Sequence, residues 1–309
     1  MQYAVGLDIG GTKIKYALVD QEGNIVYESI SPTQSGKGKE HVLDNVRRAV
    51  KEVLDFAASG KMPVSGIGIG APGIIDEGLV TGCIGNLPEM EGMPLGKLIE
   101  DFFRLPVVVE NDANVMGLAE QRFGTARGMT DVIFLTIGTG IGGAMVLNGK
   151  LYAGYRNRGA EMGHVFVKFQ GRVCSCGARG CMEAEASVQA LIEEYKNLLI
   201  QNKMNIPEDL DGKLIVAQYL KNQDAAIIAM NHHFEYLSYG IAGFINVFSP
   251  QKVVIGGGIS EAGDFYIEKI REKSLARAMK ETSQHVSVEL AQLGNKAGFL
   301  GAAALVFDL

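Results

Sequence analysis

The chain is 309 residues long, 47% apolar and 21% charged, with a net charge of −6. At roughly 100–200 residues per domain this length suggests two domains, and the balance excludes a largely disordered chain. The acidic excess argues against non-specific binding to nucleic acid, so no nucleic-acid partner is expected.

No apolar run approaches the roughly 18 residues of a bilayer span, and Asp8 interrupts the first hydrophobic stretch where a leader would need continuity. A soluble, cytoplasmic protein with no membrane partner is the expectation. Glycine is over-represented, with 40 residues clustered near 6–11, 66–73, 138–143 and 256–258. Such clusters beside apolar strands suggest backbone lying close to a ligand, or else tight turns in a strand-rich protein.

Taken in chain order, residues 3–7, 14–19 and 25–28 read as an antiparallel meander turning at Gly10-Gly11 and at 21–24. Val42, Val46, Ala49, Val50, Val53 and Ala57 recur at helical spacing and predict an amphipathic helix over 39–58. Residues 64–70 and 106–110 read as short buried strands. An offset of 128 residues then sets Leu7-Asp8-Ile9-Gly10-Gly11-Thr12 beside Leu135-Thr136-Ile137-Gly138-Thr139-Gly140. Each glycine turn lies between apolar strands, and Asn148-Gly149 signals a further hairpin. A period this long indicates a duplicated α/β domain, with one glycine turn from each copy reaching a central cleft. Further on, Ser187 can cap a helix over 188–201, a long helix covers 224–247, and 294–308 forms a small-residue helix packing back on the first domain. The division expected is 1–117, 118–292 and the terminal helix 293–309.

Gly68-Ile69-Gly70-Ala71-Pro72-Gly73 matches a dinucleotide fingerprint literally, but strand and turn follow it where that motif requires a helix. No phosphate loop of the type ending in Gly-Lys-Ser/Thr occurs. In Asp8-Ile9-Gly10-Gly11-Thr12-Lys13 a strand ends in a carboxylate and turns through two glycines. Their N–H groups can face phosphate oxygens, and Asp8 can reach a phosphate-bound Mg²⁺. A plain glycine hairpin is the competing reading. His164, Cys174, Cys176 and Cys181 offer one imidazole and three thiolates within a short segment, a set suited to tetrahedral Zn²⁺. Cys83 stands alone and reads as a small core residue. Glu110-Asn111-Asp112-Ala113-Asn114 follows a buried strand. Asp112 there is either a general base beside a hydroxyl-binding Asn111, or one of the two is a helix cap. His41, His232, His233 and His285 read as surface or helix-face residues.

Together these segments resemble the ROK family (repressors, open reading frames and sugar kinases), within the actin-like, hexokinase-type superfold. The resemblance spans essentially the whole chain. It is carried by residues 8–13, Gly70-Ala71-Pro72-Gly73, 110–114, 136–143, Glu161-Met162-Gly163-His164, Cys181-Met182-Glu183 and 253–260. It implies two duplicated actin-like (ribonuclease H-like) α/β domains around a cleft. Asp8, Gly10, Gly11, Thr12, Lys13, Gly138, Thr139 and Gly140 would hold the phosphates of ATP, and Gly256, Gly257 and Gly258 would border its adenosine. Asn86, Asn111, Asp112, Glu161, His164 and Glu183 would bind sugar hydroxyls, with Asp112 as base. His164 would serve both sugar and zinc.

The reaction implied is ATP-dependent phosphorylation of a hexose at the 6-hydroxyl, most readily glucose, in a cytoplasmic homodimer of carbohydrate metabolism. One departure leaves the acceptor open. Glucokinases of this family often carry Trp after the Asn-Leu pair at 86–87, this chain has no Trp, and Met90 is available to fill that space. N-acetylglucosamine, N-acetylmannosamine, fructose and allose therefore stay as alternatives. A sugar-responsive repressor is disfavoured, because the first glycine turn begins at Asp8 and leaves no room for a preceding helix-turn-helix.

Overall fold

A computed structural model describes residues 2–82 and 87–308. Asn86 and Cys83 lie outside the described residues. The meander is formed by β1 (Tyr3–Ile9), β2 (Lys13–Asp20) and β3 (Ile25–Pro32), followed by α1 (Lys39–Ser59) and β4 (Val64–Ala71). A small hairpin, β5 (Ile74–Asp76) and β6 (Leu79–Thr81), leads to α2 (Leu95–Phe103), β7 (Val107–Asn111) and α3 (Asp112–Arg122). The sheet order is β3-β2-β1-β4-β7, antiparallel from β3 to β1 and parallel from β1 to β7.

The second half repeats this plan. It contains β8 (Val132–Ile137), β9 (Ile141–Leu147), β10 (Lys150–Leu151), α4 (Met182–Ala186), α5 (Val188–Gln201), α6 (Gly212–Leu220) and α7 (Asp224–Phe248). It closes with β11 (Lys252–Gly256), α8 (Asp264–Arg277), α9 (Lys280–Ser283), β12 (Ser287–Leu290) and α10 (Ala297–Phe307). The order β10-β9-β8-β11-β12 reproduces the first sheet, including the change from antiparallel to parallel pairing beside the central strand. The duplication read from two glycine turns is thus a duplication of whole sheets.

Each sheet has its own core. In the first, the α1 residues Val42, Val46, Val50 and Val53 pack fully buried against Val5, Leu7 and Leu18. Met90, with Leu87 and Met93, is buried in that same core. In the second, Phe234, Leu237 and Ile241 of α7 join Ile133, Leu135, Val253 and Ile255. His233 on α7 is a buried helix-face residue, in hydrogen-bond contact with the Tyr266 hydroxyl at 2.8 Å. Burial in this core holds its imidazole down at about 3 and so uncharged. Among the described residues no helix is long and apolar enough to cross a membrane.

The terminal helix explains some of the glycine. α10 lies on β1 and β4 and against α3. A Cβ at Gly6 would sit 2.0 Å from the Phe299 carbonyl oxygen, and one at Gly68 would sit 1.7 Å from that of Ala302. These two glycines serve close helix-on-sheet packing, not the ligand approach or the turns expected for their clusters. α3 in turn touches β4 and α10 on one side and β8 and β9 on the other, and Gly117, the expected end of the first unit, lies within it.

Candidate active site

The carboxyl ends of β1, β8 and β11 open onto a cavity of about 770 Å³ lined by elements of both halves. Asp8 lines it. It is 7% exposed, and the ammonium of Lys15 lies 3.8 Å from its carboxylate. Burial raises the Asp8 carboxyl above its ordinary range while Lys15 opposes the shift. Gly138 and Thr139 from the β8–β9 turn, and Gly256, Gly257 and Gly258 after β11, line the same cavity. Gly257 has φ +95°, and a Cβ there would lie 2.2 Å from the Ile137 carbonyl oxygen, so the two turns meet only because that side chain is missing.

The first glycine turn borders the cavity without lining it. Thr33 Oγ1 donates to the Gly10 carbonyl at 2.6 Å, and Ser35 Oγ donates to that of Gly11 at 3.3 Å, which braces the turn from behind. Lys13 is exposed at its tip. Of the two lysines in this hairpin, it is Lys15 that lines the cavity, paired across the ladder with Asp8. Two-residue alternation along Lys13-Ile14-Lys15 contains that signal, because both lysines share one face. Asp211, Lys213, Val188, Val216 and Asn295 also line the cavity and were missed from sequence. They converge from α5, α6 and the approach to α10, which no local pattern links.

α3 carries the candidate base. Asn111 is its N-cap, its amide oxygen accepting from Ala113 N at 2.9 Å and Asn114 N at 3.2 Å. Its Nδ2 donates to the Gly73 carbonyl at 2.9 Å. The capping reading therefore holds for Asn111, and one amide hydrogen is left for a ligand. Asp112 follows at the first turn and accepts from Ala113 N at 2.8 Å. Burial pushes its carboxyl up to about 6, and the nearby Asp8 charge adds to the effect. Met116 and Glu120, one and two turns further along, line the cavity. Glu120 is spent structurally, its carboxylate accepting from the backbone N–H groups of Thr125, Gln292 and Leu293.

The segment 161–183 supplies the remaining candidates. Glu161 is exposed; its carbonyl accepts from His164 N at 3.0 Å, while its carboxylate has no hydrogen-bond or ion-pair partner among the described residues. Glu183 is less free than expected, because its Oε2 accepts from Ile141 N at 2.9 Å and its Oε1 from Ser175 Oγ at 3.1 Å. It ties the β8–β9 turn to the cysteine loop.

His164, Cys174, Cys176 and Cys181 bring one ligand atom each to within 4.8 Å of one another. Cys174 Sγ lies 3.5 Å from His164 Nδ1, and Cys176 Sγ lies 3.7 Å from Cys181 Sγ. A tetrahedral zinc ion, at about 2.3 Å from sulfur and about 2.0 Å from nitrogen, separates its ligand atoms by roughly 3.5–3.8 Å. The donor set and its spacing fit that metal. Nδ1 is the nitrogen beside the thiolates, which leaves Nε2 of His164 for another partner.

A sequence model of the ROK family matches residues 4–308. A glucokinase of Thermotoga maritima is 34% identical over 98% of this chain and 96% of its own. A xylose repressor of Caldicellulosiruptor bescii is 30% identical over 98% of this chain and 78% of its own. Among solved structures, a ROK family glucokinase from Streptomyces griseus in complex with glucose and AMPPNP matches with a TM-score of 0.80 and 33% identity, over 99% of this chain and 100% of that one. The two α/β halves around a cleft are thus the actin-like, hexokinase-type arrangement expected from sequence.

Proposed function

The chain belongs to the ROK family, and from that premise we propose that it is a glucokinase, moving the γ-phosphoryl group of ATP to the 6-hydroxyl of glucose. That it is a sugar kinase follows from the relatives and the shared fold. The observation that best supports the chemistry is Asp112. It is a half-buried carboxylate at the start of α3 with its carboxyl pushed up to about 6, close enough to neutrality to take a proton from an alcohol in the transition state.

In this reading Asp112 receives the 6-hydroxyl proton as that oxygen attacks the γ-phosphorus in line and ADP departs. Asn86, the free amide hydrogen of Asn111, Glu161, Nε2 of His164 and Glu183 hold the other hydroxyls. Adenosine lies along Gly256, Gly257 and Gly258. The backbone N–H groups of Gly10, Gly11, Thr12, Gly138, Thr139 and Gly140, with Lys13 and Lys15, face the phosphates. Asp8 is the carboxylate suited to hold Mg²⁺, which when bound neutralises charge on the transferring group. Zinc on Cys174, Cys176, Cys181 and Nδ1 of His164 would orient that imidazole and anchor Glu183. Closure of the units 1–117 and 118–292 would exclude water as a competing acceptor. The setting implied is cytoplasmic carbohydrate metabolism, as a homodimer.

A coupled ADP-release assay over glucose, mannose, fructose, allose, N-acetylglucosamine and N-acetylmannosamine tests the acceptor. Glucose should give the highest kcat/KM, and a tenfold advantage for any other sugar would reassign it. Within the site, Glu161→Ala should raise KM for the sugar by roughly 5- to 150-fold, since it leaves a hydroxyl unpaired at a cost of about 1–3 kcal/mol. KM for ATP should barely move. Equal shifts in both constants together with a lowered melting temperature would instead make Glu161 a structural residue.

A further inference from the structure

The loop between β10 and Glu161 reaches the other half of the molecule. Arg156 donates to the Asp76 carboxylate at the end of β5, from Nε at 3.0 Å and with Nη2 at 2.8 Å. Arg158 lies 3.8 Å from the same oxygen. Beside them Asn157 Nδ2 donates to the Ile75 carbonyl at 2.7 Å. Asp76 is only 14% exposed at its side chain, whereas Arg156 is 58% exposed, so an exposed cation covers a largely buried carboxylate.

The loop adopts strained backbone to make these contacts. Arg156, Asn157 and Ala160 have φ of 54°, 55° and 61°, a region that costs side-chain-bearing residues about 1–2 kcal/mol each. Such a conformation persists where surrounding contacts hold it. Here the contacts are those to β5. At its other end β5 follows Gly73, whose carbonyl accepts from Asn111, the cap of the helix that begins with Asp112. A continuous chain of bonds therefore runs from the Glu161 segment through β5 to the Asp112 helix.

We propose that Arg156 and Asn157 are positioning residues, clamping the segment that presents Glu161 onto β5 and so setting its separation from Asp112 across the sugar. Neither touches a reacting atom. Their effect is on alignment, where a displacement of about 1 Å can cost on the order of a hundredfold in rate. This inference rests on the sugar-side reading of Glu161 and Asp112, and the test separates the two.

The test uses the full-length enzyme with Arg156→Gln, Asp76→Asn, the double variant, and Asn157→Gly, which accepts the left-handed backbone and removes only the amide donor. We expect kcat/KM for the sugar to fall about tenfold in every single variant and no further in the double, with KM for ATP within about twofold. The fraction of ATP hydrolysed without sugar phosphorylation should rise, because a loosened cleft admits water. Melting temperatures should stay near wild type, since the Arg156 end of the pair is largely solvated. Additive losses in the double variant, unchanged sugar kinetics in Asn157→Gly, or ATP and sugar constants moving together would each overturn the clamp. A Glu161→Ala variant with normal sugar KM would overturn the underlying assignment instead, whatever the clamp variants do.

Discussion

Asp112→Asn should lose on the order of 10²–10⁴-fold in turnover while still binding sugar, because the amide keeps the position of the carboxylate and removes its basicity. A variant retaining more than about a tenth of wild-type kcat would be incompatible with Asp112 as the base. The pH profile gives an independent check. With the carboxyl at about 6 in the folded protein, kcat/KM for the sugar should fall tenfold per pH unit below that value, as the base becomes protonated. A flat acid limb down to pH 5 would move the base elsewhere.

The same residue has a cost in stability, and its sign follows from the raised value. Below about pH 4 the carboxyl is protonated in folded and unfolded chains alike, and its contribution is complete. As pH rises to about 6 the unfolded chain ionises first, so the folded state loses stability. The loss is on the order of 2–3 kcal/mol once both forms are ionised. Asparagine never ionises. The Asp112→Asn protein should therefore melt a few degrees above wild type at pH 7 and show no advantage below pH 4. An inactive variant that also melts lower at pH 7 would indicate a damaged fold instead of a missing base.

The second large effect concerns the cysteine loop. The purified protein, never exposed to chelator, should carry about one equivalent of zinc per chain, and Cys176→Ser should carry almost none. Binding energy at a structural zinc is folding energy, and here it closes the loop holding Glu183 against the β8–β9 turn. The melting temperature of Cys176→Ser should fall by on the order of 10 °C, and chelator should produce the same fall in wild type. Cys176 is the exposed thiolate of the four ligands, so its replacement by serine removes a ligand with little disturbance of packing. Metal analysis showing no zinc, or three thiols that titrate freely in a fully stable protein, would remove the site.

Much of this protein is legible before any coordinates. The apolar runs of β1 and β2 around their glycine turn, the helical spacing of Val42, Val46, Ala49, Val50 and Val53, and the cap at Ser187 are local patterns, and the observed elements follow them closely. The repeated glycine turns disclosed the duplication because each turn is built within a few residues. The candidate zinc ligands were visible for the same reason, three of them lying in one tight loop.

What the sequence left undecided depends on residues far apart in the chain. Gly6 and Gly68 are indistinguishable from turn or ligand glycines until α10, over 200 residues later, is seen lying on them. The sequence pointed to Lys13, and only the register with Asp8 brings Lys15 to the cavity. Asn111 shows the same limit. A cap and a hydroxyl ligand use the same atoms, and helix α3 with the Gly73 carbonyl takes all but one of its hydrogen-bonding positions. Local patterns thus determined the elements, the repeat and the candidate metal cluster, since each depends on near neighbours. The raised Asp112 carboxyl and the bond between Asn157 and β5 were decided by tertiary packing, because burial and long-range contact exist only once the two halves face each other.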